Sequence, residues 1–265
     1  MADAGSTGTP PNPSMITGFT INSDESLTAI SPTITGSTTN LGSPLCLIID
    51  RTGSFLYATN NSNNNVSAYT IDQTSGALTP LAAKPTIPTG TGPQLGALDP
   101  SGTHLYVANF DGGTTNTVSA YSIVTGSNAG VLTHLGDTAI TGAVGIFNLV
   151  VDPTGTYLYV LDGGGSTAIP TGQVFGFKIN SDGSVPSTPI AGTPVLTGVG
   201  PAGGIVVDPT SSILAVDNEG DGTISVYTIA PSTGTNPGSL TNPATVNSGT
   251  NSGSSPLFVT LYNAP

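Results

Sequence analysis

The chain is nearly devoid of base. Its 265 residues include only three Lys and Arg residues, Arg51, Lys84 and Lys178, against 15 Asp and Glu, for a net charge of −12. Nucleic-acid binding requires cations that displace phosphate counterions, so that class of partner is excluded. Anionic membrane surfaces are disfavoured on the same ground. Cysteine is limited to Cys46, which excludes an internal disulfide and a thiolate metal cluster. Inside the apolar run "PLCLII" it reads as a small buried hydrophobe. There is no Trp, so the usual aromatic platform for sugars is missing. No apolar run approaches the roughly 18 residues of a transmembrane segment. "MADAGSTGTPPNPS" has neither the basic nor the apolar region of a signal peptide. A Lys-poor surface rich in Thr, Ser, Asn and Gly nevertheless fits an extracellular, cell-surface or periplasmic protein, with the leader absent from this chain.

What is present is turn chemistry. Gly contributes 36 residues and Pro 22, only 7% of residues are charged, and the 36% that are hydrophobic fall in short runs. That combination fits an all-β protein with many tight turns. An aromatic recurs in "TGFTIN", "SAYTID", "SAYSIV", "FGFKIN" and "SVYTIA", at Phe19, Tyr69, Tyr121, Phe177 and Tyr227, with spacings of 50, 52, 56 and 50. A period near 50 without helical patterning points to the blades of a β-propeller. Within one period "PLCLIID" is a continuous apolar run, as expected for an innermost strand covered on both faces. "SFLYATN", "NVSAYTID" and the more polar "GALTPLAA" follow as strands two to four.

Asp50, Asp99, Asp152 and Asp208 each open the corner between the first two strands. Three continue with Pro and three reach Gly at the fourth position, the pattern of a type I turn whose Asp accepts backbone amides. Four aspartates in register resemble an acid or metal array, but separate turns in separate blades is the reading adopted.

The ends match each other. "SPLFVTLYNAP" resembles the start of an inner strand, and the chain enters at a third strand, "MITGFTIN". "MADAGSTG" aligns with "VLDGGGST", so the chain begins midway through a second strand. The expectation is one domain, 1–265, forming a five-bladed propeller of four-stranded antiparallel blades. Blades span about 44–92, 93–145, 146–200 and 201–254, and residues 255–265 close a composite blade with 1–43. Part of a seven-bladed ring is the alternative.

The phrases "DPSGTHLYVAN", "NNVSAYTIDQTSGALTP" and "DPTGTYLYVLD" resemble the lactonase-like, YVTN-type β-propeller superfamily, over about Ile16 to Leu261. The resemblance implies either a lactonase or cycloisomerase, or a surface or secreted propeller without catalytic activity. It implies His, Glu and Arg near the propeller axis in the enzymes. Here His104 falls on a second strand, His134 on an outer strand, Arg51 in a lower corner, Lys178 on a third strand, Lys84 in a loop and Glu25 in a turn. No catalytic residue carries over.

Loops between strands two and three share one face with the blade-to-blade connections. They carry the candidate ligand-binding residues Asn60, Asn109, Phe110, Asp111, Asp162 and Asn218. "DNEGDG" adds Asp217, Glu219 and Asp221, oxygen ligands suited to Ca²⁺, the one metal considered; no other cofactor is expected. The expected function is a non-catalytic extracellular binding module or assembly scaffold. It would engage a protein or glycan at the loop-rich face, or associate with its own copies through the incomplete closing blade. A lactonase-type hydrolase or cycloisomerase acting on a small lactone is the alternative.

Overall fold

The short apolar runs become strands because each pairs with a neighbour to which a turn or loop returns it. The computed structural model describes residues 2–3, 14–31, 34–35, 41–112, 115–163, 171–199 and 203–247. The N-terminal unit contains β1 (Ala2–Asp3), β2 (Met15–Ile16), β3 (Phe19–Ile21), β4 (Leu27–Ala29) and β5 (Ile34–Thr35). Blade I follows with β6 (Pro44–Ile49), β7 (Phe55–Asn60), β8 (Asn65–Ile71), β9 (Leu78–Pro80) and β10 (Thr86–Pro88). Blade II contains β11 (Pro93–Leu98), β12 (His104–Asn109), β13 (Thr117–Ile123) and β14 (Leu132–Ala139). Blade III contains β15 (Ile146–Val151), β16 (Tyr157–Asp162), β17 (Thr171–Lys178) and β18 (Val195–Val199). Blade IV contains β19 (Ile205–Val207), β20 (Ile213–Asn218), β21 (Thr223–Ile229) and β22 (Leu240–Asn247).

Blades II to IV are antiparallel four-stranded sheets in sequence order, and their inner strands β11, β15 and β19 succeed β6 as neighbours. In blade I the outer strand is split, and β9 and β10 both pair with β8. The N-terminal unit repeats that split: β5 pairs with β2, β4 with β3, and β1 with β2. Register places Ala2 opposite Ile16 and Asp3 opposite Met15, the counterpart of Asp162 opposite Gln173. The expected closing strand at 255–265 lies outside the described residues.

The four Asp corners are structural. At Asp152, Oδ1 accepts the Thr156 and Tyr157 amides at 2.8 and 2.7 Å, and Oδ2 accepts the amide and hydroxyl of Thr154. Asp50, Asp99 and Asp208 repeat the arrangement. Burial alone would raise these three carboxyls. Hydrogen bonds from Thr52, Ser101 and Thr210 hydroxyls and from neighbouring amides outweigh it and hold them below the usual carboxylate range.

Neighbouring blades are locked by tyrosines reaching in both directions. From the second strands, Tyr57, Tyr106 and Tyr159 donate to the carbonyls of Gly130, Gly183 and Gly238 in the next blade, at 3.0, 3.0 and 2.8 Å. The rings of Phe55, His104 and Tyr157 lie across these same glycines, where any Cβ would collide with them. From the third strands, Tyr121 and Tyr227 donate back to Pro88 and Leu196 of the preceding blade, at 2.7 and 2.5 Å. Around each seam Leu, Val and Ile from both blades form a buried cluster.

These bonds set the pH range of stability. Asp50, Asp99 and Asp208 bind protons less tightly when folded than the usual value of about 3.9, so their contribution is present above it and lost as pH falls. Burial pushes the phenols of Tyr57, Tyr106, Tyr121 and Tyr159 well above their ordinary value, and that of Tyr227 up to about 12. Their contribution is present below pH of about 10 and lost as pH rises. The melting temperature is expected to stay level from about pH 5 to 9.5 and to fall on both sides. Tyr106→Phe leaves the Gly183 carbonyl without its donor and should cost about 1–3 kcal/mol in denaturant unfolding. Asp152→Ala, which strips partners from several amides, should cost more.

Candidate ligand cleft on the upper face

The face carrying the loops between second and third strands is here called upper; the Asp corners lie on the lower one. Near the ring centre the upper face opens into a cleft of ≈ 570 Å³. Its floor comes from the second residue of three inner strands, Leu45, Gln94 and Phe147. Each lies at a register shift, between Pro44 and Cys46, Pro93 and Gly96, and Ile146 and Asn148. A bulge re-aims the extra side chain away from the pleat, which brings residues from an otherwise buried strand type to the cleft.

The walls come from two loops. Phe110 packs against Phe147, ring centres 5.5 Å apart and planes tilted by 51°. Asn64 Oδ1 accepts the Gly92 amide at 2.8 Å, Gln94 Nε2 donates to the Gly92 carbonyl at 3.1 Å, and Asn61 Nδ2 donates to Pro93 at 3.3 Å. Asp111 stands at the lip, its Oδ2 accepting the Thr115 amide at 2.6 Å. It is the only titratable side chain among the residues described as lining the cleft.

Of the residues singled out from sequence, Phe110 and Asp111 line this cleft. Asn60, Asn109, Asp162 and Asn218 end the second strands, are buried and do not line it. Asn60, Asn109 and Asn218 each donate to a third-strand serine, Ser67, Ser119 or Ser225, at 2.8 to 2.9 Å. Asp162 accepts the amides of Val144 and Gly145 at 2.9 and 2.8 Å, tying the incoming connection to its blade.

The proposed Ca²⁺ set does not converge. Asp217 Oδ1 accepts the Gly203 and Gly204 amides, and Asp221 Oδ1 accepts the amide and hydroxyl of Thr223. Asp217 Oδ2 is buried without a hydrogen-bond partner among the described residues. Burial pushes the Asp217 carboxyl up, the Gly204 and Gly203 amides oppose this, and the Glu219 charge adds to it. No group of three His, Cys, Asp or Glu side chains able to hold a metal ion exists among the described residues. The reason is the strand period: Asp217 faces inward at a strand end, while Asp221 is turned into its own loop.

A second hollow, of ≈ 370 Å³, lies on the lower face beside Asp99, Thr103 and His104. Asp99 Oδ1 is occupied by the Thr103 and His104 amides, both at 2.8 Å. His104 takes the seam position that Phe55 and Tyr157 hold in neighbouring blades. His134 pairs with Asp137 at 2.9 Å on an outer strand, away from the upper cleft.

Inner strands succeeding one another around a centre, with loops and connections gathered on one face, define a β-propeller. The chain belongs to the family described as lactonase, 7-bladed beta-propeller, whose model matches residues 5–235. Seven is thus the family's blade number, the larger ring named above as the alternative. A candidate 6-phosphogluconolactonase from Bacteroides fragilis is similar at 22% identity and a TM-score of 0.71, over 93% of this chain and 68% of that one. The periplasmic gluconolactonase of Pseudomonas aeruginosa is similar at 17% identity and a TM-score of 0.61, over 88% of this chain and 66% of that one. A chain of a nidogen/laminin complex is similar at 17% identity and a TM-score of 0.54, over 94% of this chain and 79% of that one. This chain therefore spans about two thirds of the length of the solved lactonase-type proteins it matches. No curated protein matches it. No helix among the described residues is long and apolar enough to cross a membrane.

Leu45, Gln94 and Phe147 were not singled out from sequence, because a bulge leaves no mark on an apolar run. The one available signal was Gln94, a polar residue inside an inner strand. Since Asp217 and Asp221 each spend one oxygen on loop amides and the three acidic side chains form no metal-holding group among the described residues, a chelator is expected to leave the melting temperature unchanged. A clear drop with EDTA, restored by added Ca²⁺, would contradict this.

Proposed function

We propose that the protein is a lactonase-type propeller that binds an uncharged lactone in the upper cleft and opens it by hydrolysis. The observation that carries this reading is the composition of the cleft: two Phe rings, a set of side-chain amides, one carboxylate and no cation. Membership of the lactonase family supports the substrate class. A phosphorylated sugar needs Arg or Lys against its phosphate. Arg51 donates to Pro100 on the lower face, and Lys84 and Lys178 are exposed away from the cleft lining. The substrate is therefore a neutral cyclic ester.

In this reading Asp111 is the general base. It takes a proton from a water molecule as that water attacks the lactone carbonyl carbon. The Asn61 and Gln94 side-chain amides each keep a second N–H beyond the bond already made, and donate to the carbonyl oxygen as it gains negative charge. The ring C–O bond then breaks, the ring oxygen leaves as a hydroxyl after taking up a proton, and the product is the open hydroxy acid. Phe110 and Phe147 hold the apolar face of the ring.

A second reading, a non-catalytic binding module using the same cleft, is favoured by the lack of His, Lys and Arg among the described lining residues. Location outside the cytoplasm belongs to both readings and rests on the low-charge, Lys-poor sequence.

A panel of unphosphorylated aldonolactones, followed by proton release against spontaneous hydrolysis, separates the two. Turnover that falls by at least about 10²-fold in Asp111→Asn, with slower turnover of a phosphorylated counterpart, is the expected result. Binding without turnover favours the module. Neither binding nor turnover would remove the cleft from consideration.

A further inference from the structure

The lining of the upper cleft is divided by chemistry. Its side-chain amides gather about Gly92 and Pro93: Asn64 Oδ1 accepts the Gly92 amide, Gln94 Nε2 donates to the Gly92 carbonyl, and Asn61 Nδ2 donates to the Pro93 carbonyl. Its aromatic rings gather over Gly145, the last residue before β15. A Cβ on Gly145 would stand 3.3 Å from the Phe110 ring and 3.7 Å from the Phe147 ring. Besides Asp111, the polar side chains described in the lining are Asn61, Asn64, Thr91 and Gln94, all from the blade I loop and the entry to blade II. The cleft thus has an amide end between blades I and II and an aromatic end between blades II and III.

Backbone contacts fix the distance between the two ends. The Phe110 amide donates to the Gly92 carbonyl at 2.9 Å. Gly92 has φ 64°, and a Cβ there would collide with the Phe110 carbonyl, so only glycine allows this approach. At the other wall the bulge between Ile146 and Asn148 holds Phe147 toward the cleft. Asn148, the amide side chain next to Phe147 in sequence, is engaged elsewhere. Its Oδ1 accepts the Leu149 amide at 2.8 Å, and its Nδ2 donates to the Gly203 carbonyl at 3.2 Å. A hydroxyl brought to the aromatic end therefore meets no side-chain partner except Asp111 among the described residues.

We infer that the lactone taken by this cleft carries an apolar chain on its ring and is not a polyhydroxylated sugar lactone. The inference rests on the lactone reading of the cleft and names its substrate class. With the carbonyl oxygen at the Asn61 and Gln94 amides, the far side of the ring and its substituent face Phe110 and Phe147. An aldonolactone would bring hydroxyls to those rings, each losing water without gaining a partner. An alkyl chain loses nothing there, and each buried methylene strengthens binding about fourfold. Hydrolysis adds one water across the ring C–O bond, as above. The product is a hydroxy acid whose hydroxyl-bearing carbon keeps the chain.

The test compares γ-butyrolactone, γ-hexalactone, γ-octalactone and an aldono-γ-lactone as substrates of the full chain, with proton release as the readout. The matching γ-alkyl lactams, which resist opening, measure binding alone by calorimetry. Both kcat/KM and lactam affinity are expected to rise by about two- to fourfold per methylene, with the aldono-γ-lactone at least tenfold below γ-octalactone. Phe147→Ser should flatten the dependence on chain length in both series; Phe110→Ser makes the same test if Phe147→Ser melts early. Chain-dependent lactam binding without turnover keeps the ligand class and removes the hydrolytic reading. Faster turnover of the aldono-γ-lactone than of γ-octalactone overturns the inference and leaves that reading standing. A chain dependence unchanged in both Phe variants also overturns it, since the chain then lies elsewhere. Neither binding nor turnover of any member overturns both.

Discussion

The hydrogen bond from a second-strand tyrosine to a glycine carbonyl of the next blade is the contact on which the ring depends. A four-stranded sheet of this composition is apolar on both faces and has no stability alone; it must be sandwiched. Hydrophobic contact between sheets is non-directional and leaves sliding unopposed. The phenol supplies direction. Each reaches across a dry seam to one carbonyl, and leaving that carbonyl unpaired costs about 1–3 kcal/mol. Third-strand tyrosines reaching back to the preceding blade fix the opposite sense of rotation. A chain with so few ion pairs therefore orients its blades with neutral hydrogen bonds, which salt does not screen.

The same logic explains why the ends of the second strands are buried and polar. Asn60, Asn109 and Asn218 fasten the third strand through serine hydroxyls, and Asp162 and Asp217 fasten the incoming connection through its amides. Phe110 and Asp111 lie beyond these brackets and can be chosen for what they touch, on a rigid base.

The architecture was legible because it is repeated. An apolar run, an Asp corner and an alternating strand with a central aromatic, met at intervals near 50, leave few other folds. The alignment of "MADAGSTG" with "VLDGGGST" carried the register of β1. The cleft was legible only in part, for a physical reason. Sequence identifies loop residues by polarity, and Asn60, Asn109 and Asp162 are polar for an internal purpose that pattern cannot distinguish from binding. Leu45 and Phe147 are hidden by the opposite error, since they look like core until a bulge turns them. Seven blades, the family's number, stood only as the alternative, because five matching phrases favour five.

Low charge also constrains the chemistry of the whole upper face. In a site without cations an anionic ligand must give up its hydration for amide dipoles alone, beside Asp111 and under the field of a molecule carrying a net charge of −12. That arrangement repels acids, including a hydroxy acid that has just lost its proton. A neutral ring ester suffers no such penalty. Under the lactone reading proposed above, the electrostatics that make the cleft a poor phosphosugar site would favour entry of an uncharged lactone and departure of its ionised product, so substrate choice and product release would follow from one cause.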